Sequence, residues 1–354
     1  MKRWMIIGII IGLILLTIGI LLYNNRDYGI TQEIPAVTII ELPQDTTIEF
    51  LHTLPPEKLK EIRTFNMSSR WKEIGVKEFP PIISELVNLE NLYCGGNNIS
   101  DLTPIKNLIH LQIINLEDND VADWKEFENL TNLSKLYISG NRLSDLKGIE
   151  KLKKLIFLDL TRNHNLSDIS GIEMLTNLEY LKLGSNSLET FPDSFYTAGL
   201  PIKWLEMTGM HNFDYSYNLP KFHQLKNLQE LYLYEHYIPK LNIDFEKCDK
   251  LETFNLYWQK KIDIADVLKR ISKAPNLKYL GLINNNIRYL PENTVLPDSL
   301  KGLDLSVNNI KKLPVGLTKY INLKTVILRG NPIDTIAMKK IEKEMVNTKF
   351  YYDK

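Results

Sequence analysis

The chain has 354 residues, 44% of them hydrophobic, and its 43 Lys and Arg residues balance its 43 Asp and Glu residues. This length leaves room for several domains or one long repeat array, and the composition is not that of a disordered chain. Because the net charge is zero and no Lys- and Arg-rich run occurs, nucleic acid is not expected as a partner.

The N-terminal segment is predicted to cross a membrane as an uncleaved signal anchor over residues 1–23. Residues 5–22, MIIGIIIGLILLTIGILL, contain no charged side chain, and a helix of this length covers roughly 27 Å, close to the hydrocarbon thickness of a bilayer. Trp4 and Tyr23 flank the run, where interfacial aromatic residues belong. A small-residue cleavage site does not follow it, which favours an anchor over a cleaved signal peptide.

The charges around this segment predict its orientation. Lys2 and Arg3 precede the run, whereas Arg26 beyond it is offset by Asp27, so we expect a cytoplasmic N-terminus and an extracytoplasmic remainder. Gly8 and Gly12 form a G-x-x-x-G pair that permits dimerisation of such helices, although glycine is also common in membrane helices without that role.

Residues 24–61 lack the repeat that follows them and are predicted to form a juxtamembrane segment and an N-terminal cap. The sequence VTII at residues 37–40 is typical of a strand. The pair Pro55-Pro56 indicates the start of a short helix that continues through KLKEI at residues 58–62.

Residues 62–334 are predicted to be a repeat array. A motif L-x-x-L-x-L recurs at spacings of 22 to 26 residues. Its eleven clear units begin at Leu89, Leu111, Leu133, Leu155, Leu178, Ile202, Leu228, Leu251, Leu277, Leu300 and Leu323, and a degenerate unit begins at Ile62. This period, with L-x-x-L-x-L-x-x-N-x-L, is the signature of leucine-rich repeats.

The array resembles the leucine-rich-repeat family. Some units look like the 22-residue repeats of bacterial internalins, namely NNISDLTPI at 97–105, NRLSDLKGI at 141–149 and NLSDISGI at 165–172. Others resemble longer forms of the repeat, namely LETFP at 188–192, IRYLP at 287–291 and IKKLP at 310–314. The resemblance implies an α/β solenoid, a horseshoe with a parallel β-sheet on its concave face, in a bacterial ligand-binding protein.

The repeat pattern also has a direct physical explanation. The two leucines of L-x-L lie on one face of a short strand and form the core, and neighbouring units must stack to bury them. An asparagine after each strand can satisfy backbone groups inside the solenoid, since its amide both donates and accepts. We therefore expect a structural ladder of Asn97, Asn119, Asn141, Asn163, Asn186, Asn285, Asn308 and Asn331. Residues 335–354 follow the array, where Met338, Ile341 and Met345 at helical spacing predict a C-terminal cap helix.

The sequence predicts no catalysis, cofactor or metal site. Cys94 and Cys248 fall in units six steps apart, roughly 29 Å at the spacing of strands, so they are too distant for a disulfide. The six histidines lie at different phases of the repeat, and no zinc-binding, phosphate-loop or nucleophile motif occurs.

The middle of the array is the predicted binding surface. Outward strand positions of successive units form columns across the sheet, and those columns concentrate aromatic residues, which favour binding surfaces. The candidate ligand-binding residues are Phe157, Tyr180, Trp204, Tyr232, Tyr234, Tyr257, Trp258 and Tyr279. The same units hold the lengthened segments at 207–220 and 259–274, and Met210, His236 and Gln259 replace the ladder asparagine. A ligand surface and an irregular but purely structural middle both fit this pattern.

The preferred interpretation is a membrane-anchored protein at the cell surface that binds a protein or a cell-envelope ligand on its concave face. Adhesion or host contact follows if the internalin resemblance extends to the role. A structural envelope scaffold and a cytoplasmic-facing regulatory scaffold are the alternatives, and an enzyme is the least favoured class.

Overall fold

The computed structural model describes residues 51–69, 75–234, 238, 240–259 and 263–353. The predicted anchor at 1–23 with Gly8 and Gly12, the predicted strand at 37–40 and His236 lie outside the described residues. Within the described ranges no helix combines the length and the apolar composition that crossing a bilayer requires.

In the described residues, short parallel strands form one sheet of 13 strands, and each strand pairs with the next along the chain. This is the arrangement of a leucine-rich-repeat solenoid, in which every unit contributes one strand. The strands are β1 Thr64–Asn66, β2 Asn91–Tyr93, β3 Ile113–Asn115, β4 Lys135–Tyr137, β5 Phe157–Asp159, β6 Tyr180–Gly184, β7 Trp204–Thr208, β8 Glu230–Tyr234, β9 Thr253–Tyr257, β10 Tyr279–Gly281, β11 Gly302–Asp304, β12 Thr325–Ile327 and β13 Lys349–Tyr351.

The returning segments are mostly short helical turns. The α-helices that lie wholly in the described residues are α1 Pro56–Leu59, α2 Asp193–Thr197, α3 Tyr215–Asn218, α4 Ile264–Ile271 and α5 Thr335–Glu344. The 3₁₀ turns are Pro81–Glu85, Thr103–Ile105, Lys125–Phe127, Ile149–Lys151, Ile172–Met174, Leu219–Gln224, Phe245–Lys247 and Val315–Lys319. Apolar side chains from the strands and from these turns form one continuous core, and α1 begins at the Pro-Pro pair as the sequence predicts.

The eight ladder asparagines are buried beside the ends of the strands. Asn119 shows the bonding pattern: its side-chain oxygen accepts from the Ile99 N–H at 3.0 Å in the preceding unit. Its amide nitrogen donates to the Cys94 carbonyl at 2.9 Å and to the Leu116 carbonyl at 3.1 Å. One side chain thereby satisfies backbone groups of two units that water cannot reach.

Two other side chains replace the ladder asparagine in the irregular middle. Gln259 accepts from the Ile238 N–H at 3.1 Å. Met210 cannot accept in this way, and Asn218, eight residues further along in α3, accepts from the Phe191 N–H at 3.1 Å instead. The lengthened segment therefore supplies the polar group that its own unit lacks.

Both lengthened segments contribute buried apolar side chains to the core. In the first, Phe213 and Tyr215 are buried, and the Phe213 ring lies 4.7 Å from that of Phe191. In the second, α4 begins after Asp263, which accepts from two backbone N–H groups, and buries Val267 and Leu268. The buried residues of these two segments therefore have a structural role.

The C-terminal end differs from a simple cap helix over 335–354. Helix α5 ends at Glu344, and the chain then forms β13, which pairs with β12 and extends the sheet by one strand. Phe350 of β13 packs against the core. The added strand covers the edge of β12, whose backbone groups would otherwise lack partners.

Candidate functional site

The strand register brings the predicted columns together. Phe157 lies beside Tyr180, and Tyr180 lies beside Trp204, in the first outward column. Strands β6 to β9 have five residues, whereas the other strands of the sheet have three. The two additional residues create a further column, in which Tyr234 and Tyr257 are neighbours.

Trp204, Tyr232, Tyr234 and Tyr257 form a chain of ring contacts that we call the aromatic strip. The ring centroids lie 5.3 Å apart for Trp204 and Tyr232, 6.1 Å for Tyr232 and Tyr234, and 4.3 Å for Tyr234 and Tyr257. The last two pairs are stacked. All four side chains are partly exposed on the outward face of β7 to β9, so the strip presents parts of four aromatic rings with few rotatable bonds.

A second aromatic pair lies on β4 and β5, earlier in the sheet than the aromatic strip. The Tyr137 and Phe157 ring centroids are 4.6 Å apart, and burial is the main cause that raises the pKa of Tyr137. Tyr137 is not among the candidates chosen from the sequence, although its position in the second column is the signal that would have found it. Tyr180, on β6, lies between this pair and the aromatic strip in the register.

The remaining two candidates lie apart from the aromatic strip or at its border. Tyr279 is 37% exposed, and its ring lies over Gly302, so a side chain at residue 302 would collide with it. Trp258 follows β9 in the turn, where its φ of 57° is left-handed. It therefore does not occupy a strand position of the sheet face.

Charged side chains border the aromatic strip. They were not among the binding residues predicted from the sequence. The Lys182 ammonium lies 5.3 Å from the centre of the Trp204 ring and 3.7 Å from the Glu206 carboxylate. Tyr232 donates a hydrogen bond of 2.6 Å to Glu230. The surface thus combines aromatic rings with side chains of both signs of charge.

Burial perturbs the titration of several of these groups. It is the main cause that raises the pKa of Glu206, with the Asp159 charge adding to the shift and Lys182 opposing it. Burial also raises the pKa of Tyr232 and Tyr234. Both phenols are therefore neutral near pH 7 and can act as hydrogen-bond donors.

The Glu206 shift predicts a pH-dependent effect of Glu206→Gln. Because the folded pKa lies above the unfolded one, ionised Glu206 destabilises the fold, and stability falls as pH rises from the unfolded towards the folded pKa. We expect Glu206→Gln to melt at a higher temperature than the wild type at pH 7. This difference in melting temperature should shrink towards pH 4. Thermal unfolding across that range, with the exposed Glu128→Gln as charge-matched control, tests this. A difference in melting temperature that is the same at pH 4 and at pH 7 would contradict a raised pKa of Glu206.

A separate cavity of about 290 Å³ lies beside the turns that follow β3 to β5 and is lined by charged residues. Its charges pair with one another: Arg142 lies 2.8 Å from Asp120, and Arg162 lies 3.1 Å from Asp118. Within the described residues no cluster of His, Cys, Asp and Glu could hold a metal ion. Cys94 and Cys248 are free thiols.

The comparisons with known proteins identify the fold. A family model described as leucine-rich repeats matches residues 87–129 and 131–174. An internalin, InlF of Listeria monocytogenes, superposes with a TM-score of 0.58 at 20% identity, covering 88% of this chain and 96% of that one.

Two plant receptors share the fold over parts of their lengths. One is the ectodomain of the Arabidopsis thaliana receptor kinase GASSHO1/SCHENGEN3, solved in complex with Casparian strip integrity factor 2, with 17% identity and a TM-score of 0.50; the alignment covers 78% of this chain and 37% of that one. The other is the plant peptide hormone receptor RGFR1 in complex with RGF2, with 22% identity and a TM-score of 0.50, covering 83% and 48%. At these identities, the comparisons show that the chain has the leucine-rich-repeat solenoid fold.

Proposed function

We propose that this protein is a membrane-anchored leucine-rich-repeat receptor or adhesin that binds another protein through the aromatic strip, without catalysing a reaction. The aromatic strip itself carries the proposal: four contacting rings stand partly exposed on the outward face of a rigid sheet. The few residues whose truncation to Ala costs about 2 kcal/mol or more of binding are enriched in Trp and Tyr and lie near the centre of an interface.

The geometry favours a ligand that lies across several strands. The strip extends over β7, β8 and β9, and the Tyr137 and Phe157 pair continues the aromatic surface on β4 and β5. Lys182, Glu206 and Glu230 stand beside it and offer charged partners to a polar ligand. An extended segment of a protein can contact these positions in succession, because neighbouring strands are about 4.8 Å apart.

The plant receptor structures support a protein ligand by analogy, since both were solved as complexes with a named ligand. The fold alone is shared with them, so the identity of their ligands does not transfer. A cell-envelope ligand other than protein, such as a glycan, is the alternative occupant of the strip, because sugar rings also stack on aromatic side chains.

The N-terminal sequence supports the membrane part of the proposal. The uncharged run at 5–22 with Lys2 and Arg3 before it suits a signal anchor with its N-terminus in the cytoplasm and the solenoid outside. A protease added to intact cells should then digest the solenoid. If the solenoid becomes accessible only after lysis, the cytoplasmic-facing scaffold replaces this interpretation.

We also propose that the N-terminal segments dimerise through Gly8 and Gly12. The double replacement Gly8→Leu with Gly12→Leu should then reduce cross-linking between two copies of the chain.

Replacing Tyr180, Trp204, Tyr232 and Tyr257 together by Ala is expected to abolish capture of the partner from an envelope extract. These side chains lie on the outward face rather than in the core, so we expect a much smaller effect on thermal stability than on binding. The experiment compares affinity capture by the wild type and the variant, with the melting temperature measured on the same samples.

The control variant is Tyr289→Ala, which removes a 66% exposed tyrosine away from the sheet face. Its capture should equal that of the wild type. Undiminished capture by the four-residue variant would reject the aromatic strip and favour a structural envelope scaffold. Loss of binding through unfolding would show as a lowered melting temperature, and the single replacement Trp204→Ala then separates the two effects.

A further inference from the structure

The most exposed apolar side chains of the described residues lie in the C-terminal part of the sequence. Ile321, Val346 and Ile336 are 79%, 78% and 74% exposed, and Tyr289 and Val315 are 66% and 62% exposed. Every other exposed large apolar side chain in the described residues is at most 49% exposed. All five lie between residues 289 and 346, so apolar exposure above 49% occurs only in the last units of the described chain.

Ile321 and Val346 occupy equivalent positions in adjacent units. Ile321 follows Tyr320, whose carbonyl accepts from the Leu323 N–H, and Val346 follows Met345, whose carbonyl accepts from the Thr348 N–H. Ile321 and Val346 therefore lie in corresponding turns, each between a helical segment and a strand. Because β12 and β13 are paired neighbours, these turns belong to neighbouring layers of the solenoid.

Helix α5 adds lysines to this apolar group. Met338 and Ile341 face the core, and at 100° per residue Ile336, Lys339, Lys340 and Lys343 share an arc of about 100° on the opposite side. All three lysines are exposed. The helix packs beside the 3₁₀ turn Val315–Lys319. This turn adds the exposed apolar residue Val315 and the exposed Lys319.

No ion pair in the described residues offsets the charges of these lysines. Lys339, Lys340 and Lys343 do not lie within ion-pair distance of any carboxylate that the structure describes. The ion pair furthest along the described sequence is Lys278 with Glu252. On the same helix, Glu342 faces Tyr352 and accepts its hydrogen bond at 3.0 Å. Residues 311–349 contain nine Lys and Arg residues and three Asp and Glu residues, although the whole chain is neutral.

We propose that Ile321, Ile336, Val346, Lys339, Lys340 and Lys343 form a terminal patch that docks on the surface of an anionic lipid bilayer. Aliphatic side chains can enter the headgroup boundary, while lysines place their ammonium groups among lipid phosphates. The patch has aliphatic and lysine side chains but neither the stacking rings nor the arginines with which single-stranded nucleic acid is commonly held. It uses residues distinct from the aromatic strip and does not depend on the function proposed for that strip.

Fluorescence quenching on the full chain tests the proposal. A thiol-reactive fluorophore is attached to Ile336→Cys in one sample and to Ile109→Cys, a 49% exposed control position, in another. Cys94 is fully buried with a raised pKa, and burial raises the pKa of Cys248 to about 12, so the native thiols react slowly at neutral pH. Each protein is reconstituted into vesicles containing lipids with a nitroxide near the headgroup.

We expect quenching at residue 336 to be at least about threefold stronger in vesicles that contain phosphatidylglycerol than in pure phosphatidylcholine, and to weaken as salt is added. The control position should show no such difference, which separates docking of the patch from attachment through the N-terminal segment. Replacing Lys339, Lys340 and Lys343 by Gln should remove the difference. Replacing Lys147, Lys151 and Lys153 by Gln, a matched change elsewhere on the surface, should retain it.

Three results would overturn the proposal. Quenching that is equal at residues 336 and 109, or equal in neutral and anionic vesicles, means that the terminal patch does not recognise an anionic bilayer. Quenching that follows the protein-to-lipid ratio instead of the lipid charge means that the patch contacts a second copy of the chain.

Discussion

Replacing Asn119 by Ala is expected to lower the free energy of unfolding by about 3 kcal/mol, because buried backbone groups lose their partners. The Ile99 N–H and the carbonyls of Cys94 and Leu116 bond to this one side chain. Asn119 is fully buried, so water cannot replace those bonds without opening the stack between two units. Since neighbouring units stabilise one another in a solenoid, the loss spreads beyond the unit that carries the substitution.

Chemical denaturation of the purified protein, with hydrogen exchange of the Ile99 amide as a local probe, measures this effect. The control is Asn129→Ala, because Asn129 is an exposed asparagine on the next returning segment. Its change should stay within about 0.5 kcal/mol. If Asn119→Ala is no more destabilising than the control, the ladder bonds do not hold the units together.

Replacing Asn218 by Ala is expected to cost a similar amount, about 3 kcal/mol, although it lies outside the repeat motif. Its side-chain oxygen accepts from the Phe191 N–H at 3.1 Å and from the Tyr196 hydroxyl at 2.8 Å. Its amide nitrogen donates to the Asp214 carbonyl at 2.7 Å. The side chain is fully buried, so the substitution leaves a buried hydroxyl and a buried N–H without partners.

The matched control for this second substitution is Asn212→Ala, an exposed position on the same lengthened segment. Denaturation midpoints of the two variants should differ clearly, with the control close to the wild type. Equal midpoints would show that the segment is a dispensable surface loop, and the description of it as part of the core would then be wrong.

The sequence predicts the repeat and the strand register well, because both depend on spacing alone. The alternation of side chains in a strand places Leu136 and its equivalents in the core and their neighbours outside. Stacking units of similar length then aligns Phe157, Tyr180 and Trp204 in one column. Their nearness in space follows from periodicity, with no knowledge of their individual contacts.

Contacts that depend on insertions and on side-chain direction were not predictable from spacing. Nothing in the motif indicates that Asn218 replaces Met210, because α3 must first fold back to bring its side chain to Phe191. The sequence also gives no reason to choose Lys182 or Glu206, whose role depends on where the Trp204 ring lies. Strand β13 was missed because residues 349–351 lack the leucine motif, although they pair with β12 and place Phe350 against the core.

The central claim is that a partner protein contacts the aromatic strip, and site-specific photo-cross-linking tests it most directly. A benzophenone amino acid replaces Tyr257 in one variant and Tyr289 in another, so each position keeps an aromatic side chain. We predict that irradiation of each variant in an envelope extract yields a covalent protein adduct at residue 257 and none at residue 289. Adducts at residue 289 alone, or equal adducts at both positions, would contradict binding at the strip.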